Sequence, residues 1–261
     1  MRVHLVQFDI AWEDRFENHR RVRSLLNGAT IGQGDLVVLP EMFDSGFGFN
    51  VEATADRDGG SRDFLAGVAR ERRCWVVGGI TAIESDARPR NRALCLGPDG
   101  AVVEWYDKHF LFPLGDPSEA SRFEPGSRVA TFGLGSGATA LGVAPLICYD
   151  LRFPELFLGA VRAGAEAIAL IANWPSTRAS HWRALSIARA IECQAFVFAV
   201  NRCGQDPSLA YAGGSLVIDP QGRVLAEADE APQVLSAPID PEDARGWRGR
   251  FPALRDRLNR G

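Results

Sequence analysis

Nearly unbroken apolar runs alternate along this chain with stretches in which apolar residues recur at helical spacing. VHLVQFDI (3–10) predicts a first strand, and residues 13–26 predict a helix. DLVVLPEMF (35–43) reads as a strand, residues 62–72 as a helix and CWVVGGI (74–80) as a strand. RALCLGPDG (92–100) and AVVEWYDKHF (101–110) read as two strands joined through Gly97, Pro98, Asp99 and Gly100. Residues 111–128 carry Pro113, Gly115, Pro117, Pro125 and Gly126, a loop long enough to serve an active site. ATALGVAPLICYD (138–150) predicts a strand, and Pro154 suits the first turn of a helix over 154–163. Then come a strand (165–174), a helix (178–194) and strands at 195–200 and 214–229, the last bent at 220–222. The tail after Pro241 is expected to start as a helix. Apolar strands flanked by helices argue for sheets covered by helices. No linker or low-complexity stretch divides the chain, so one α/β domain over residues 1–261 is expected.

Composition narrows the function classes. With 46% hydrophobic residues the chain can fill a substantial core, and a net charge of -4 offers no global attraction for nucleic acid or anionic lipid. The arginine-rich end, residues 245–260, is broken by Trp247, Leu254 and Asp256 and reads as a solvated helical face. Five cysteines with no CxxC pair fit free thiols better than a disulfide framework or a zinc site. His4, Gln7 and Asp9 interrupt the first apolar run, and no run reaches the length of a membrane span. The expectation is a cytoplasmic protein acting on a small molecule, with no nucleic acid or membrane partner.

Three reactive side chains stand just past apolar runs, where α/β proteins gather function. Cys148 ends a strand that leads into a helix, the context that exposes a nucleophile at a tight turn. Glu41 follows Val37-Val38-Leu39-Pro40 and is a candidate base. Lys108 follows Val102–Tyr106 and is a candidate oxyanion stabiliser; it is the only lysine in the chain. Alone, each has a plain structural alternative: a packed thiol, a solvated acid, a surface cation.

Their surroundings read LPEMFDSGF, WYDKHFLF and LICYDLRFPE. In this order the segments resemble the three signature segments of the nitrilase superfamily, the carbon–nitrogen hydrolases. The resemblance continues through residues 171–204 and through YAGGSLVIDPQG (211–222). It implies a four-layer α-β-β-α sandwich and a Glu–Lys–Cys set, with Glu41 as base, Lys108 and the Tyr149 N–H as oxyanion donors, and Cys148 as nucleophile forming a thioester. The wording LPEMF…GF, ICYDLRFP and ANWP…R…HW most resembles the omega-amidase branch, implying hydrolysis of the terminal amide of 2-oxoglutaramate or 2-oxosuccinamate without metal or organic cofactor. Many members carry a further glutamate before a Pro-Gly in the loop after the lysine. Glu119 fits that place better than Glu124, although the loop FPLGDPSEASRFEPG is longer than the usual form.

Trp174 is a candidate pocket wall or a core aromatic. Arg152 is a candidate carboxylate ligand or a structural partner of Asp150 or Glu155, and Arg178 and Arg183 are further candidate ligands. His181 reads as a packing or capping residue, and Cys74, Cys95, Cys193 and Cys203 as packed thiols. Gly213 and Gly214 lack phosphate-loop context. Family resemblance implies a homodimer or larger assembly. The alternatives are another carbon–nitrogen hydrolase (an N-carbamoyl amino acid amidohydrolase, an aliphatic amidase or a nitrilase) or an inactive relative that acts as a binding module.

Overall fold

The computed structural model describes residues 1–84, 87–135, 137 and 140–258. Its strands in chain order are β1 Arg2–Gln7, β2 Leu36–Val38, β3 Trp75–Ala82, β4 Arg90–Leu96, β5 Val102–Asp107, β6 Phe132–Leu134 and β7 Leu141–Ile147. They continue with β8 Ala167–Ala172, β9 Phe196–Asn201, β10 Cys203–Gln205, β11 Ala210–Ala212, β12 Leu216–Ile218, β13 Val224–Glu227 and β14 Gln233–Pro238. The helices are α1 Arg15–Asn27, α2 Val51–Thr54, α3 Gly60–Arg72, α4 Glu119–Arg122, α5 Pro154–Arg162, α6 Ala179–Cys193, α7 Pro241–Arg250 and α8 Ala253–Leu258.

Two six-stranded sheets pack face to face, in the orders β14-β1-β2-β3-β4-β5 and β13-β12-β9-β8-β7-β6. The centres are parallel (β1-β2-β3 and β7-β8-β9) and the margins antiparallel. Helices α1 and α3 cover the outer face of the first sheet, and α6, with α5 beside it, covers the second. This is the four-layer α-β-β-α sandwich that the family resemblance implies.

Strand periodicity explains the layers. Leu36, Val38, Val77, Ala93 and Cys95 join the core shared with the second sheet. Their alternates Val37, Leu39, Val76, Leu94 and Leu96 pack beneath α1 and α3 with Val22, Leu26, Phe64 and Leu65. Each fully buried aliphatic side chain contributes about 1.5–3 kcal/mol. Locally, Asp14 caps α1 by accepting from the Glu17 N–H at 3.0 Å, and Pro154 opens α5.

Several sequence expectations need correction. The strand expected over 35–43 is only Leu36–Val38, because Pro40 cannot extend the ladder and the chain then turns. The bent strand expected over 214–229 is a hairpin of β12 and β13. Asp219 Oδ1 closes its turn by accepting from the Gln221 and Arg223 N–H groups. The loop over 111–128 contains α4, and β6, β10, β11 and β14 were not foreseen. Residues 138–139 of the strand expected over 138–150, and Arg260, lie outside the described residues. The arginine-rich end is not simply solvated. Arg245 grips Glu166 at 2.6 Å, and Arg248 donates to the carbonyls of Ala165, Cys193 and Gln194, docking α7 on the second sheet.

Candidate active site

The chain beyond β2, β5 and β7 converges at one place, and it brings the three reactive residues together. Cys148 directly follows β7 and has φ +46°, a left-handed conformation that costs a non-glycine residue about 1–3 kcal/mol. A 3₁₀ turn over Cys148–Arg152 then leads into α5. This is the strand–turn–helix elbow expected from the sequence. Asp150 braces it: Oδ2 accepts from the Ile147 N–H at 3.1 Å and the Tyr106 hydroxyl at 2.8 Å, and Oδ1 from the Phe110 N–H at 3.0 Å. Burial pushes the Asp150 carboxyl up to about 7 against the pull of these donors and of Lys108.

Glu41 lies beyond β2 in a turn laid against β3. The Gly79 N–H donates to the Pro40 carbonyl at 3.1 Å, and the Phe43 N–H donates to the Gly79 carbonyl at 3.0 Å. Gly79 is required here: a Cβ would fall 2.7 Å from Glu41 Cα and 2.8 Å from Met42 N. Lys108 follows β5, where its N–H donates to the Asn91 carbonyl at 2.9 Å and its own carbonyl accepts from Gly126.

The side chains of Glu41, Lys108 and Glu119 are fully buried and bonded to one another. Lys108 Nζ donates to Glu41 Oε1 at 2.9 Å and to Glu119 Oε2 at 2.9 Å and Oε1 at 3.1 Å. Asn91 Nδ2 donates to Oε1 of both glutamates at 2.7 Å, and the Phe112 N–H to Glu119 Oε2 at 2.7 Å. Asn173 N–H donates to Glu41 Oε2 at 2.8 Å, and Asn173 Nδ2 to the Glu41 carbonyl at 2.6 Å. Cys148 Sγ lies 3.8 Å from the Asn173 carbonyl.

Burial alone would lower the Lys108 pKa, but the charges of Glu119, Glu41 and Cys148 hold it above its ordinary value. Burial raises Glu119, opposed by Lys108 and reinforced by Glu41. Burial and then the Glu41 charge push the Cys148 thiol well above its usual value, with Lys108 pulling the other way. The resting sulfur is therefore a thiol beside a carboxylate. An ammonium stands ready to stabilise negative charge on the sulfur or on an oxygen beside it.

A small cleft opens on Cys148, walled by Phe47, Phe112, Tyr149, Trp174, Arg178 and Tyr211 among others. Trp174, expected as a pocket wall or a core aromatic, is both: it lines the cleft, is 3% exposed and packs on Trp182. Arg152 also lines the cleft, its guanidinium 4.9 Å over Trp174. The ion pair expected between Arg152 and Asp150 or Glu155 does not form among the described residues. Backbone amides and Tyr106 occupy Asp150, and Arg152 instead meets His181 Nδ1 at 3.4 Å. His181 is exposed and outside the cleft lining. Arg183 pairs with Glu227 at 2.9 Å on the surface, so it is no cleft ligand. Glu124 meets Arg88 at 3.5 Å in solvent, away from the cluster that Glu119 joins. Cys74, Cys95, Cys193 and Cys203 are buried free thiols, as expected.

Asn91, Asn173, Phe47 and Tyr211 join the site without having been expected from the sequence. Asn173 alone carried a visible signal, since it follows β8 as Cys148 follows β7. A larger depression between α1 and β14, lined by Arg2, Ser24 and Ser236 among others, holds none of the candidate residues. Among the described residues no His, Cys, Asp or Glu group is arranged to hold a metal, and no helix is long and apolar enough to cross a membrane.

Known proteins resemble this chain over nearly its whole length. The profile of the Carbon-nitrogen hydrolase family matches residues 2–249. A Bacillus subtilis protein named 2-oxoglutaramate amidase is 34% identical over 256 residues, covering 97% of this chain and 96% of its own. The Escherichia coli omega-amidase YafV is 35% identical over 260 residues, covering 98% and 96%. The crystal structure of XC1258 from Xanthomonas campestris, described as a CN-hydrolase superfamily protein with an arsenic adduct in the active site, superposes with a TM-score of 0.89 at 35% identity. That match covers 98% of this chain and 96% of the other.

Proposed function

Since the chain belongs to the carbon–nitrogen hydrolase family and is an amide-hydrolysing enzyme, we propose that it hydrolyses the terminal carboxamide of a small 2-oxo acid amide, 2-oxoglutaramate or 2-oxosuccinamate, through a thioester on Cys148. One observation carries this reading. The Lys108 ammonium is clamped between Glu41 and Glu119 beside the sulfur that opens on the cleft. The names of the relatives support the substrate class. Arg152 and Arg178 also support it: both line the cleft and neither has an acidic partner among the described residues. They are the proposed ligands of the substrate carboxylate.

In the proposed mechanism Glu41 takes the Cys148 proton as sulfur attacks the amide carbon. Lys108 and the Tyr149 N–H stabilise the oxyanion, and Glu119 holds Lys108 in place. The proton on Glu41 passes to the departing nitrogen, which leaves as ammonia. Water then gives a proton to Glu41 and its oxygen to the acyl carbon, and the acid departs as the thiol is restored. Trp174 and Tyr149 shape the acyl pocket. We place the enzyme in the cytoplasm as a homodimer, which fractionation and light scattering check.

The test is an ammonia-release screen over 2-oxoglutaramate, 2-oxosuccinamate, glutamine, asparagine, N-carbamoyl amino acids and simple nitriles. The 2-oxo acid amides are expected to give the highest kcat/KM. A higher value for any other class overturns the substrate assignment.

A further inference from the structure

Asn91 takes no part in the chemistry described so far, yet it touches every charged member of the cluster or its backbone. It lies on β4 with the parity of Ala93 and Cys95, which face the core between the sheets. It is fully buried. Its Nδ2 donates at 2.7 Å to Glu41 Oε1 and at 2.7 Å to Glu119 Oε1. Ionised carboxylates accept only, so this orientation of the amide is fixed by its partners. Its backbone carbonyl accepts the Lys108 N–H at 2.9 Å across the end of the β4–β5 ladder, while the buried side-chain Oδ1 has no partner among the described residues. Lys108 Nζ approaches the same two Oε1 atoms, at 2.9 and 3.1 Å. Two donors and two acceptors thus close a ring in which Glu41 Oε1 is saturated. Glu41 Oε2 accepts the Asn173 N–H at 2.8 Å and only a long 3.4 Å contact from Asn173 Nδ2, whose short 2.6 Å bond goes to the Glu41 carbonyl, so Oε2 is the less tightly held of the two oxygens.

We propose that Asn91 is a positioning residue that commits Oε1 of Glu41 to the ring, so that Oε2 alone serves as the basic oxygen toward Cys148, and that centres the Lys108 ammonium between the two glutamates. This inference rests on the reading of Glu41, Lys108 and Cys148 given above. A neutral donor is needed at this position. An acid would set a third carboxylate against two, and an apolar side chain would leave two buried acceptors short of a partner. The ionisable groups around the amide are Glu41 from the turn after β2, Glu119 from α4, Lys108 from the end of β5 and Cys148 from the end of β7, with Asp150 and Tyr106 braced behind them. Arg90 and Arg92 on the same strand turn away, to the Pro125 carbonyl and Asp107.

The experiment compares the parent with Asn91→Ser and the isosteric Asn91→Asp. The substrate is whichever amide the parent hydrolyses best. Three quantities are read: kcat and KM separately, the thermal transition, and the pH profile of Cys148 alkylation by iodoacetamide without substrate, followed by mass. Asn91→Ser is expected to lose about 10²-fold in kcat with KM within about threefold, the scale of a misplaced catalytic group. Asn91→Asp is expected to shift the alkylation profile to higher pH, because added negative charge disfavours the thiolate. Turnover within about threefold of the parent in both variants, or an unmoved alkylation profile in Asn91→Asp, overturns the proposal. Failure of both variants to fold also overturns it, since Asn91 would then be structural. The control Cys148→Ala separates the two readings: ammonia release by that protein refutes the mechanism itself, whatever Asn91 does.

Discussion

Replacing Lys108 with methionine keeps most of the side-chain volume and removes the one cation in a buried cluster of two carboxylates. Each contact at 2.9 Å is worth about 6 kcal/mol gross at an effective dielectric of 20. Desolvation of the lysine offsets much of that, and breaking a buried ion pair from one side typically costs about 3–5 kcal/mol net. Whole-domain stability is about 5–15 kcal/mol, so the variant should remain folded with a reduced margin at pH 8. The loss depends on pH in a defined direction. Burial already raises Glu119 in the parent, and the lysine that opposes this is gone in the variant. Its folded pKa therefore rises further above the unfolded value, and the folded variant binds more protons than the unfolded chain. The penalty grows as pH climbs through and above the ordinary glutamate range, and acid relieves it. Urea unfolding followed by tryptophan fluorescence at pH 8 and pH 5.5 measures this, with six tryptophans as reporters. The expected result is a midpoint that falls at pH 8, partial recovery at pH 5.5, and recovery at pH 8 in Lys108→Met/Glu119→Gln, with a coupling of about 1–3 kcal/mol. Turnover should fall by at least about 10²-fold in both proteins. A Lys108→Met protein as stable as the parent at both pH values, or a double variant no more stable than the single, would refute the electrostatic reasoning.

Cys148→Ala should abolish ammonia release and leave the thermal midpoint nearly unchanged, because it removes a single sulfur atom whose contact with the Asn173 carbonyl is long; calorimetry and an ammonia assay check both. Gly79→Ala should cost about 1–3 kcal/mol of stability and lower kcat at least about tenfold, since the new Cβ would push the Glu41 turn off β3; unfolding and initial-rate measurements show whether it does. Arg152→Ala and Arg178→Ala should raise KM for 2-oxoglutaramate with a smaller effect on kcat, each by about 1.5–3 kcal/mol in kcat/KM if the arginine meets a carboxylate. Substrates lacking that carboxylate should be indifferent to both changes.

Much of this arrangement was visible along the chain, for reasons that are local. Cys148, Glu41 and Lys108 each follow an apolar strand run, and a strand end is a property of neighbouring residues. Glu119 could be preferred to Glu124 only through the family resemblance, which implies a glutamate a few residues before a Pro-Gly such as Pro125-Gly126. What stayed hidden depends on partners far apart in sequence. Asn91 is an ordinary strand residue until β4 meets β5 and α4, and Asn173 matters because β8 lies beside β7. Phe47 and Tyr211 reach the cleft from a turn and from the short hairpin β10–β11, whose three-residue strands carry little periodicity. Arg245 and Arg248 looked like a solvated face because their acceptors, Glu166 and the carbonyls of residues 165, 193 and 194, belong to other elements. Arg152 sits two residues from Asp150, but the 3₁₀ turn sends the two side chains to different sides of the elbow.

The most direct test of the central claim is intact-mass analysis of protein quenched during turnover of 2-oxoglutaramate, in the parent and in Glu41→Gln. An acyl adduct is expected that maps to Cys148, accumulates in Glu41→Gln and is missing from Cys148→Ala. Steady ammonia release with no adduct in either protein, and continued release by Cys148→Ala, would contradict it.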